Sequence, residues 1–386
     1  MYKKVTDTIY YIGVNDHDID LFEGQYVVPN GMAYNSYVIK DEKIAVMDTV
    51  DIRKADEWLT NLDEVLEGKT PDYLVVTHLE PDHAGSIKVF CDTYPETALV
   101  MTMKAKAMLP QFFGNNIKNA CRGVVEGETL SLGAHTLTFV TAPMVHWPEV
   151  MVAYDSCDKV LFAADAFGKF GALDMEEDWT CEARRYYFNI VGKYGAQVQA
   201  LLKKAATLDI QIICPLHGPI LSENLGFYLD KYNTWSSYQA EDDGILIAVA
   251  SIYGNTMKAA KKLAEILTDA GAKKVVITDL ARDDSAEALE DAFRYDKVVF
   301  AASSYDAGVF PFMEEFLHHL KAKNYQKRKV ALVENGSWGP TAAKTMRAIL
   351  EQMKDITIVD PIVTIKSTMS DQNIEEFKIL AENLLN

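Results

Sequence analysis

The chain has 386 residues, of which 49% are hydrophobic and 24% charged, and its formal net charge is −18. This length exceeds what one hydrophobic core usually reaches, so two domains are expected. The acidic balance disfavours non-specific nucleic-acid binding, and no apolar run approaches the roughly 20 residues of a membrane span. The composition therefore predicts a soluble protein that binds neither nucleic acid nor membrane.

The N-terminal segment, MYKKVTDTIYYIGV, lacks the apolar stretch and the cleavage site of a signal peptide. The cysteines lie far apart without a C-x-x-C pair, which disfavours disulfides, a structural zinc site or an attached iron–sulfur domain. We therefore expect a cytoplasmic protein with reduced thiols. These thiols belong to Cys91, Cys121, Cys157, Cys181 and Cys214.

The sequence predicts one domain of short strands, loops and a few helices over residues 1–242. Its β-branched and aromatic runs are punctuated by glycine and aspartate, which is typical of layered sheets. The predicted strands are 8–14, 32–39, 43–49, 73–77, 98–103, 129–141 and 150–163. Apolar residues at helical spacing predict helices at 53–67, 85–94, 181–208 and 224–238.

Residues 243–386 change character and alternate strands with amphipathic helices. Near-continuous apolar strands in such an alternation predict a doubly wound five-stranded parallel sheet. The predicted strands are 245–251, 274–280, 297–303, 329–335 and 356–365, and the helices are 256–270, 285–293, 311–322, 341–353 and 371–385.

Candidate metal ligands follow several strands of the first domain. The strand YLVVT runs into His78-Leu79-Glu80-Pro81-Asp82-His83, and His146, Asp165 and His217 follow later strands. Loops at the carboxyl ends of strands often carry chemistry. One such histidine alone would more often be structural, but seven candidates together predict a metal site. We expect structural or surface roles for the histidines that lack such companions, which are His17, His135, His318 and His319.

This part of the chain resembles the metallo-β-lactamase fold with its αββα layers, whose hydrolases carry H-x-H-x-D-H and bind two zinc ions. Here Glu80 stands at the second histidine. A carboxylate in place of an imidazole makes the site harder and more negative, which suits iron better than zinc. The motif H-x-E-x-D-H is the signature of the flavodiiron family, to which the chain is similar.

The resemblance implies a diiron enzyme that reduces dioxygen to water, nitric oxide to nitrous oxide, or both. It also implies that Tyr194 lies near the metals as a hydrogen-bond donor, and Glu23 stands where many relatives have histidine. In the ligand set that it implies, His78, Glu80 and His146 bind one iron, Asp82, His83 and His217 bind the other, and Asp165 bridges them.

Three loops after alternating strands of the second domain predict a flavin pocket. The first combines hydroxyls and a glycine at a helix N-terminus, which forms a cradle for a phosphate monoester. The other two join glycines to an aromatic ring that could cover an isoalloxazine. This arrangement resembles flavodoxin and implies FMN. The candidate residues are Ser251, Ile252, Tyr253, Gly254, Asn255, Thr256, Ser303, Ser304, Tyr305, Asp306, Ala307, Gly308, Asn335, Gly336, Ser337, Trp338 and Gly339.

The resemblance covers essentially the whole chain and implies its partners. We expect a separate electron carrier such as rubredoxin, and a head-to-tail homodimer or a dimer of such dimers. Two other functions stay open. One is a dizinc hydrolase with a regulatory flavodoxin domain, which metal analysis would identify. The other is an electron-transfer or gas-sensing module with a vestigial metal site, which anaerobic turnover would test.

Overall fold

The computed structural model describes residues 2–386, which form two compact units. The first unit comprises the chain up to Tyr187 together with Ala196–Asn233. The second comprises Phe188–Gly195 and Thr234–Asn386. The chain therefore crosses between the units three times, at 187/188, 195/196 and 233/234.

The first unit contains two main sheets of mixed strand direction. The first sheet has the order β1-β2-β7-β8-β9-β10-β11 and the second has the order β12-β13-β14-β15-β16. Strands β3 and β6 pair with each other, as do β4 and β5. In chain order, β1 to β16 are Lys3–Lys4, Ile9–Tyr11, Val14–Asp16, Leu21–Phe22, Tyr26–Val27, Met32–Tyr34, Tyr37–Lys40, Ile44–Met47, Tyr73–Val75, Ala98–Thr102, Cys121–Val124, Thr129–Ser131, Thr136–Thr141, Met151–Asp155, Val160–Phe162 and Ile212–Cys214.

The hydrophobic core of this unit lies between its two sheets. Ile39, Met47 and Val75 come from the first sheet, and Phe139 and Phe162 from the second, and all are buried in one cluster. Period-two alternation within each strand directs these side chains to the shared interior. The layered fold expected from the sequence is confirmed.

Helices accompany these sheets, but the prediction of one long helix over residues 181–208 is wrong. It is interrupted after Tyr186 by a π-helical turn, Tyr187–Val191, and a 3-10 turn, Gly192–Tyr194. A Cβ atom added at Gly195 would lie 2.4 Å from the Ser236 carbonyl oxygen, so only glycine fits there. The helices α1 to α7 are Ala55–Leu66, Pro81–Ala84, Ile87–Thr93, Met103–Phe113, Trp179–Tyr186, Gly195–Ala205 and Leu225–Ser236.

The second unit is the expected doubly wound sheet. Its strands follow the order β18-β17-β19-β21-β22, which is the 2-1-3-4-5 order of flavodoxin-like folds. Strand β20 pairs antiparallel with β19, and β23 pairs parallel with β21. Strands β17 to β23 are Asp242–Ala250, Val275–Asp279, Tyr295–Tyr305, Gly308–Val309, Gln326–Asn335, Lys354–Ile358 and Val363–Ile365, and helices α8 to α12 are Asn255–Asp269, Ser285–Arg294, Pro311–Ala322, Ala342–Leu350 and Asp371–Leu385.

One strand of this sheet differs from its predicted form. The sequence predicts a single strand over residues 356–365, but the structure splits it into β22 and β23. Pro361 lies in the gap, where it has no N–H to donate to a ladder. Both pieces pair with β21, so the strand order is unaffected.

The remaining sequence predictions concern cysteines and membranes. Among residues 2–386 no two cysteines are joined by a disulfide. Within the same range, every helix falls short of the length and apolarity needed to cross a bilayer. Of the histidines set apart from the metal site, His135 is buried against Asp155 and His17 pairs with Asp174.

The core between the sheets gives a stability prediction. Ile39→Ala should lower the free energy of unfolding by about 2–5 kcal/mol, since it removes a fully buried side chain and leaves a cavity. Ile52→Ala is the matched control, because Ile52 is 53% exposed. It should change the free energy by less than about 0.5 kcal/mol. Denaturant titration of both variants checks this, and equal losses would contradict the assigned core.

Candidate metal centre and flavin pocket

The predicted metal ligands come from strand ends of both sheets in the first unit. His78 and Glu80 lie in the loop after β9, and the short helix α2 carries the Asp82 and His83 side chains. The other three lie in later loops of the second sheet: His146 between β13 and β14, Asp165 after β15 and His217 after β16.

Buried carboxylates that are not predicted ligands hold the backbone of the first loop. The Thr77 N–H donates to Asp48 Oδ1 at 2.7 Å, and the Leu79 N–H donates to Glu149 Oε1 at 3.0 Å. Burial raises the pKa of Asp48 to about 7. The Thr49 hydroxyl and N–H both donate to the His83 carbonyl. The loop is therefore fixed at both ends by the protein itself.

Four of the predicted residues form a first ligand cluster. The side-chain atoms of His78, Glu80, His146 and Asp165 lie within 4.8 Å of one another. His146 Nε2 is 2.8 Å from Glu80 Oε2 and 3.1 Å from Asp165 Oδ2. His78 Nε2 is 3.4 Å from the same Asp165 oxygen. Two imidazoles and two carboxylates thus converge on one point.

A second cluster shares Asp165 with the first. It contains His83, His217 and Asp165, and the Nε2 atoms of its two histidines are 2.9 Å apart. Asp82 Oδ2 lies 3.3 Å from His83 Nε2 and 3.2 Å from His217 Nε2. The two oxygens of Asp165 divide between the clusters, Oδ2 near the first and Oδ1 3.5 Å from His83. Asp165 is therefore the common element of both.

The tautomer of His217 leaves its inward nitrogen available to a cation. His217 Nδ1 lies 2.8 Å from the carbonyl oxygen of Ala33, which can only accept a hydrogen bond. Nδ1 must carry the proton, so Nε2 of the neutral imidazole presents a lone pair to the cluster. A backbone carbonyl that fixes the imidazole in this way is typical of metal-binding histidines.

The imidazoles of the pocket sit in a negative field. Burial lowers the pKa of His78, but the charge of Asp165 outweighs it and holds that pKa well above its ordinary value. At His146 burial is likewise outweighed by the hydrogen bond with Asp165, which raises the pKa to about 10. His83 is the exception, since burial and then the neighbouring His217 hold its pKa well below the usual range.

The carboxylates are affected in different directions. Burial raises the pKa of Glu80, but hydrogen bonds with His146 and His78 outweigh it and lower the pKa to about 2. Burial, with the charge of Glu80, raises the pKa of Asp82 to about 6. At Asp165 burial is outweighed by the charge of His78, so its pKa lies well below the ordinary value. The pocket therefore stabilises positive charge around Asp165.

Unsatisfied polar atoms indicate that this donor set fits metal ions. His78 Nε2, Asp165 Oδ1 and both carboxylate oxygens of Asp82 are buried without a hydrogen-bond partner in the described structure. Buried groups of this kind are costly unless they are hydrogen-bonded or coordinate a metal. Imidazole and carboxylate ligands together suit iron, and Glu80 supplies the carboxylate where a dizinc site has imidazole.

Two tyrosines that the sequence analysis did not select pack against the predicted ligand His217. Tyr34 and Tyr186 lie with ring centroids 6.1 and 5.4 Å from that of His217. Burial and the charge of Asp165 raise the pKa of Tyr186 well above its ordinary value, so its hydroxyl keeps its proton. The predicted Tyr194 lies in the second unit, in the 3-10 turn, half-buried beneath the Lys193 ammonium.

Glu23 occupies the tip of the turn between β4 and β5. It has a φ of 49°, is exposed, and accepts a hydrogen bond from the Gln25 amide. The preceding residue, Phe22, is buried with its ring edge-on to His217 at 5.5 Å. This turn therefore reaches the metal pocket through Phe22.

The second unit contains a cavity of about 720 Å³ at the carboxyl edge of its sheet. This volume lies within the range of about 300–1,000 Å³ that small-molecule sites occupy. Fifteen of the predicted flavin residues line it, while Gly254 and Gly308 do not. Tyr253 and Trp338 are 95% and 96% exposed, so both rings have room to cover a flat ligand.

Hydrogen bonds shape this cavity for a phosphate-bearing ligand. Helix α8 begins after Gly254, whose φ is 88° and whose N–H donates to the Ser251 hydroxyl at 3.1 Å. The free N–H groups of such a helix start are an anion site. The hydroxyls of Thr256 and Ser303 lie 2.9 Å apart beside it. The residues present therefore fit FMN.

Two lining residues were missed by the sequence analysis, Thr341 and Ser367. The Thr341 N–H donates to the Ser304 hydroxyl at 2.8 Å. Ser367 exchanges hydrogen bonds with the Asn335 side chain at 2.9 and 3.0 Å. Ser367 lies two residues after β23, which ends where the predicted last strand ends, so the loop after that strand was a fourth candidate that could have revealed it.

Comparisons with known proteins match both parts of the chain. A family model described as ODP family beta lactamase matches residues 32–218, and a flavodoxin model matches residues 247–378. The rubredoxin-oxygen oxidoreductase of Megalodesulfovibrio gigas is 28% identical over 99% of this chain and 96% of its own. A nitric oxide reductase of Moorella thermoacetica is 29% identical over 94% and 92% of the two chains.

Solved structures extend the similarity to the whole fold. The rubredoxin oxygen:oxidoreductase of Desulfovibrio gigas has a TM-score of 0.92 at 26% identity and covers 100% of this chain and 98% of its own. The flavodiiron protein of Giardia intestinalis has a TM-score of 0.94 and covers 100% and 96%. At 24% identity, that second likeness shows the fold alone.

A lactamase-like unit with two ligand clusters, followed by a flavodoxin-like unit, defines a metalloflavoprotein with two cofactor sites. The chain belongs to the flavodiiron protein family. The family resemblance expected from H-x-E-x-D-H is thereby confirmed.

The shared position of Asp165 gives a prediction on metal content. Asp165→Ala should lower iron at both positions, from about two per chain to well under one, because both clusters lose a ligand. FMN should remain bound. Elemental analysis of anaerobically purified protein measures this, with Asp209→Ala, an exposed aspartate of the same unit, as the control. Full iron in Asp165→Ala would contradict the ligand assignment.

The flavin cradle gives a second prediction. Ser251→Asp should lower FMN content at least about tenfold, because a carboxylate there repels the flavin phosphate at close range. Ser285→Asp places the same charge at the exposed start of α9, away from the cavity, and should keep FMN. Flavin absorbance after gel filtration measures both. Unchanged flavin in Ser251→Asp would locate the phosphate elsewhere.

Proposed function

We propose that this flavodiiron oxidoreductase takes electrons from an external carrier and reduces dioxygen to water, nitric oxide to nitrous oxide, or both. The observation that carries the proposal is the pair of ligand clusters joined at Asp165, with Glu80 in the first. When bound, two irons supply electrons together at adjacent positions, and FMN relays those electrons to them. Relatives named for oxygen and for nitric oxide support both substrates.

The protein's own side chains have distinct roles in this proposal. His78, Glu80 and His146 hold one iron and Asp82, His83 and His217 hold the other, with Asp165 shared by both. The Tyr186 hydroxyl, kept protonated beside these carboxylates, is suited to donate a hydrogen bond to bound substrate. Tyr194 stays the candidate that the family pattern suggests. Glu23 has no assigned part in substrate choice.

The seventeen predicted flavin residues, with Thr341 and Ser367, form the proposed FMN site. We propose 1–242 and 243–386 as the two functional domains. A small carrier such as rubredoxin is the proposed donor, because the relative from Megalodesulfovibrio gigas carries that name. A cytoplasmic location stays a prediction, which the lack of disulfides among residues 2–386 favours.

The test of the function is reoxidation of the fully reduced protein in a stopped-flow instrument, with each gas supplied separately. The reduced protein should be reoxidised by at least one gas, about 100-fold or more faster than a control that holds FMN but lacks iron. Asp165→Ala supplies that control. Equal rates in the two proteins would refute the oxidoreductase assignment.

Glu80→His tests the metal preference separately. Replacing the carboxylate with imidazole recreates the H-x-H-x-D-H pattern, so the purified variant should contain mainly zinc when both metals are supplied. Reoxidation by either gas should fall with the iron content. The wild-type protein, prepared in parallel, should contain mainly iron. Mainly zinc in the wild type would favour the hydrolase alternative.

We further propose that the active unit is a head-to-tail homodimer, in which the FMN of one chain faces the metal centre of its partner. The two sites belong to separate compact units, each built from its own residues. A two-fold axis would make both flavin-to-iron contacts equivalent. A dimer of such dimers is compatible with the same contact.

Subunit mixing tests the dimer. One parent carries Asp165→Ala and His146→Ala and lacks iron, while the other carries Ser251→Asp and lacks FMN. Each should be nearly inactive with reduced rubredoxin. After subunit exchange, the mixture should regain about a quarter of the wild-type activity, because half of the dimers are mixed and each has one working pair. No recovery in fully exchanged dimers would refute the head-to-tail arrangement.

A further inference from the structure

An internal cavity lies beside the loops that carry His146 and Asp165, and none of the predicted metal ligands lines it. It has a volume of about 20 Å³ and lies wholly within the first unit. Its wall is formed by β-strand residues such as Val152, by residues of α6 such as Val198, and by the Tyr232 ring. The cavity is therefore enclosed between the second sheet and helix α6.

The wall exposes only apolar atoms to the cavity. The one hydroxyl among the lining side chains belongs to Tyr232, and it accepts a hydrogen bond from the Phe167 N–H at 2.5 Å. A buried water needs two to four polar partners, which this wall does not offer. Apolar cavities of this kind stay dry and bind small apolar guests such as xenon.

The cavity has a metal side and a solvent side. On the metal side, Val145 immediately precedes His146, and Ala166 immediately follows Asp165. These two residues therefore lie in the loops that carry His146 and Asp165 of the first ligand cluster. The opposite wall includes half-exposed residues of α6 and of the turn after it, which are Leu202, Ala205 and Leu208.

We propose that this cavity binds one molecule of a small apolar gas and serves as the last apolar station of the gaseous substrate before the metal centre. The space suffices for one small guest, because the centre of a water-sized sphere has about 20 Å³ in which to move. A dry site excludes water and ions and leaves diatomic gases as the fitting class. The binding itself rests on the cavity, while its role in supply rests on the proposed function.

The first test uses xenon as the probe on crystals of the iron- and FMN-loaded protein. Pressurised crystals should show one anomalous peak bounded by Val152, Val198 and Tyr232. Ala205→Leu adds three carbons to the wall and should lower xenon occupancy about tenfold, since it fills the space that the guest takes. Ala200→Leu, exposed on the same helix, should leave xenon occupancy unchanged. No xenon peak in the wild type would overturn the proposal.

The second test asks whether the site supplies the reaction. Ala205→Leu should lower the second-order rate of reoxidation by dissolved gas several-fold, and Ala200→Leu should not. Reduction of FMN by the donor should be equal in both. Val198→Ile adds one carbon to a buried part of the wall and should lower the same rate. It replaces Ala205→Leu in this test if Ala205→Leu folds poorly. Retained iron and FMN report the fold.

The outcomes separate this inference from the function itself. Xenon lost without any change in reoxidation rate would refute a role in supply. A wild-type protein that binds xenon but is not reoxidised by either gas would refute the proposed function and leave the gas site standing. A slower reaction that parallels the loss of xenon in both filled variants would support both.

Discussion

The crowding of ionisable side chains into one buried pocket is the constraint on which the first unit depends. Four imidazoles and three carboxylates lie within contact distance, and several of their polar atoms have no hydrogen-bond partner in the described structure. Buried charge without compensation costs several kcal/mol per group, on the order that decides whether a domain folds. Asp165 lies between both clusters, so it concentrates the negative field that two cations would offset.

The general plan of the molecule could be predicted because local patterns agreed with the global fold. The alternation of apolar strands and amphipathic helices predicted the parallel sheet of the second unit, for which the structure gives the strand order 2-1-3-4-5. The predicted metal ligands could be selected because they lie in segments that follow strands, and the structure brings their side chains together. His146 and His217, 71 residues apart, lie in two clusters that share Asp165.

Other features have no local signal. The helix predicted over 181–208 is interrupted at residues 187–194, and the close approach of Gly195 to the Ser236 backbone is a tertiary contact that periodicity cannot reveal. Tyr186 lies beside the ligands through tertiary packing alone. In contrast, Pro361 was a readable signal for the break in the last strand. Ser367 could also have been found, because it lies in the loop just beyond the predicted end of that strand.

The hydrogen bonds that Asp48 and Glu149 make to backbone N–H groups have a consequence for how the enzyme matures. They fix the loop from Thr77 to Leu79 through contacts within the protein, and Thr49 holds the His83 carbonyl in the same way. A zinc finger, in contrast, gains its folding energy from the metal. In this chain, protein groups hold the backbone of the ligand loop, and the crowded side chains are the part that a metal would hold. An arriving ion would therefore have to order side chains and not the path of this loop.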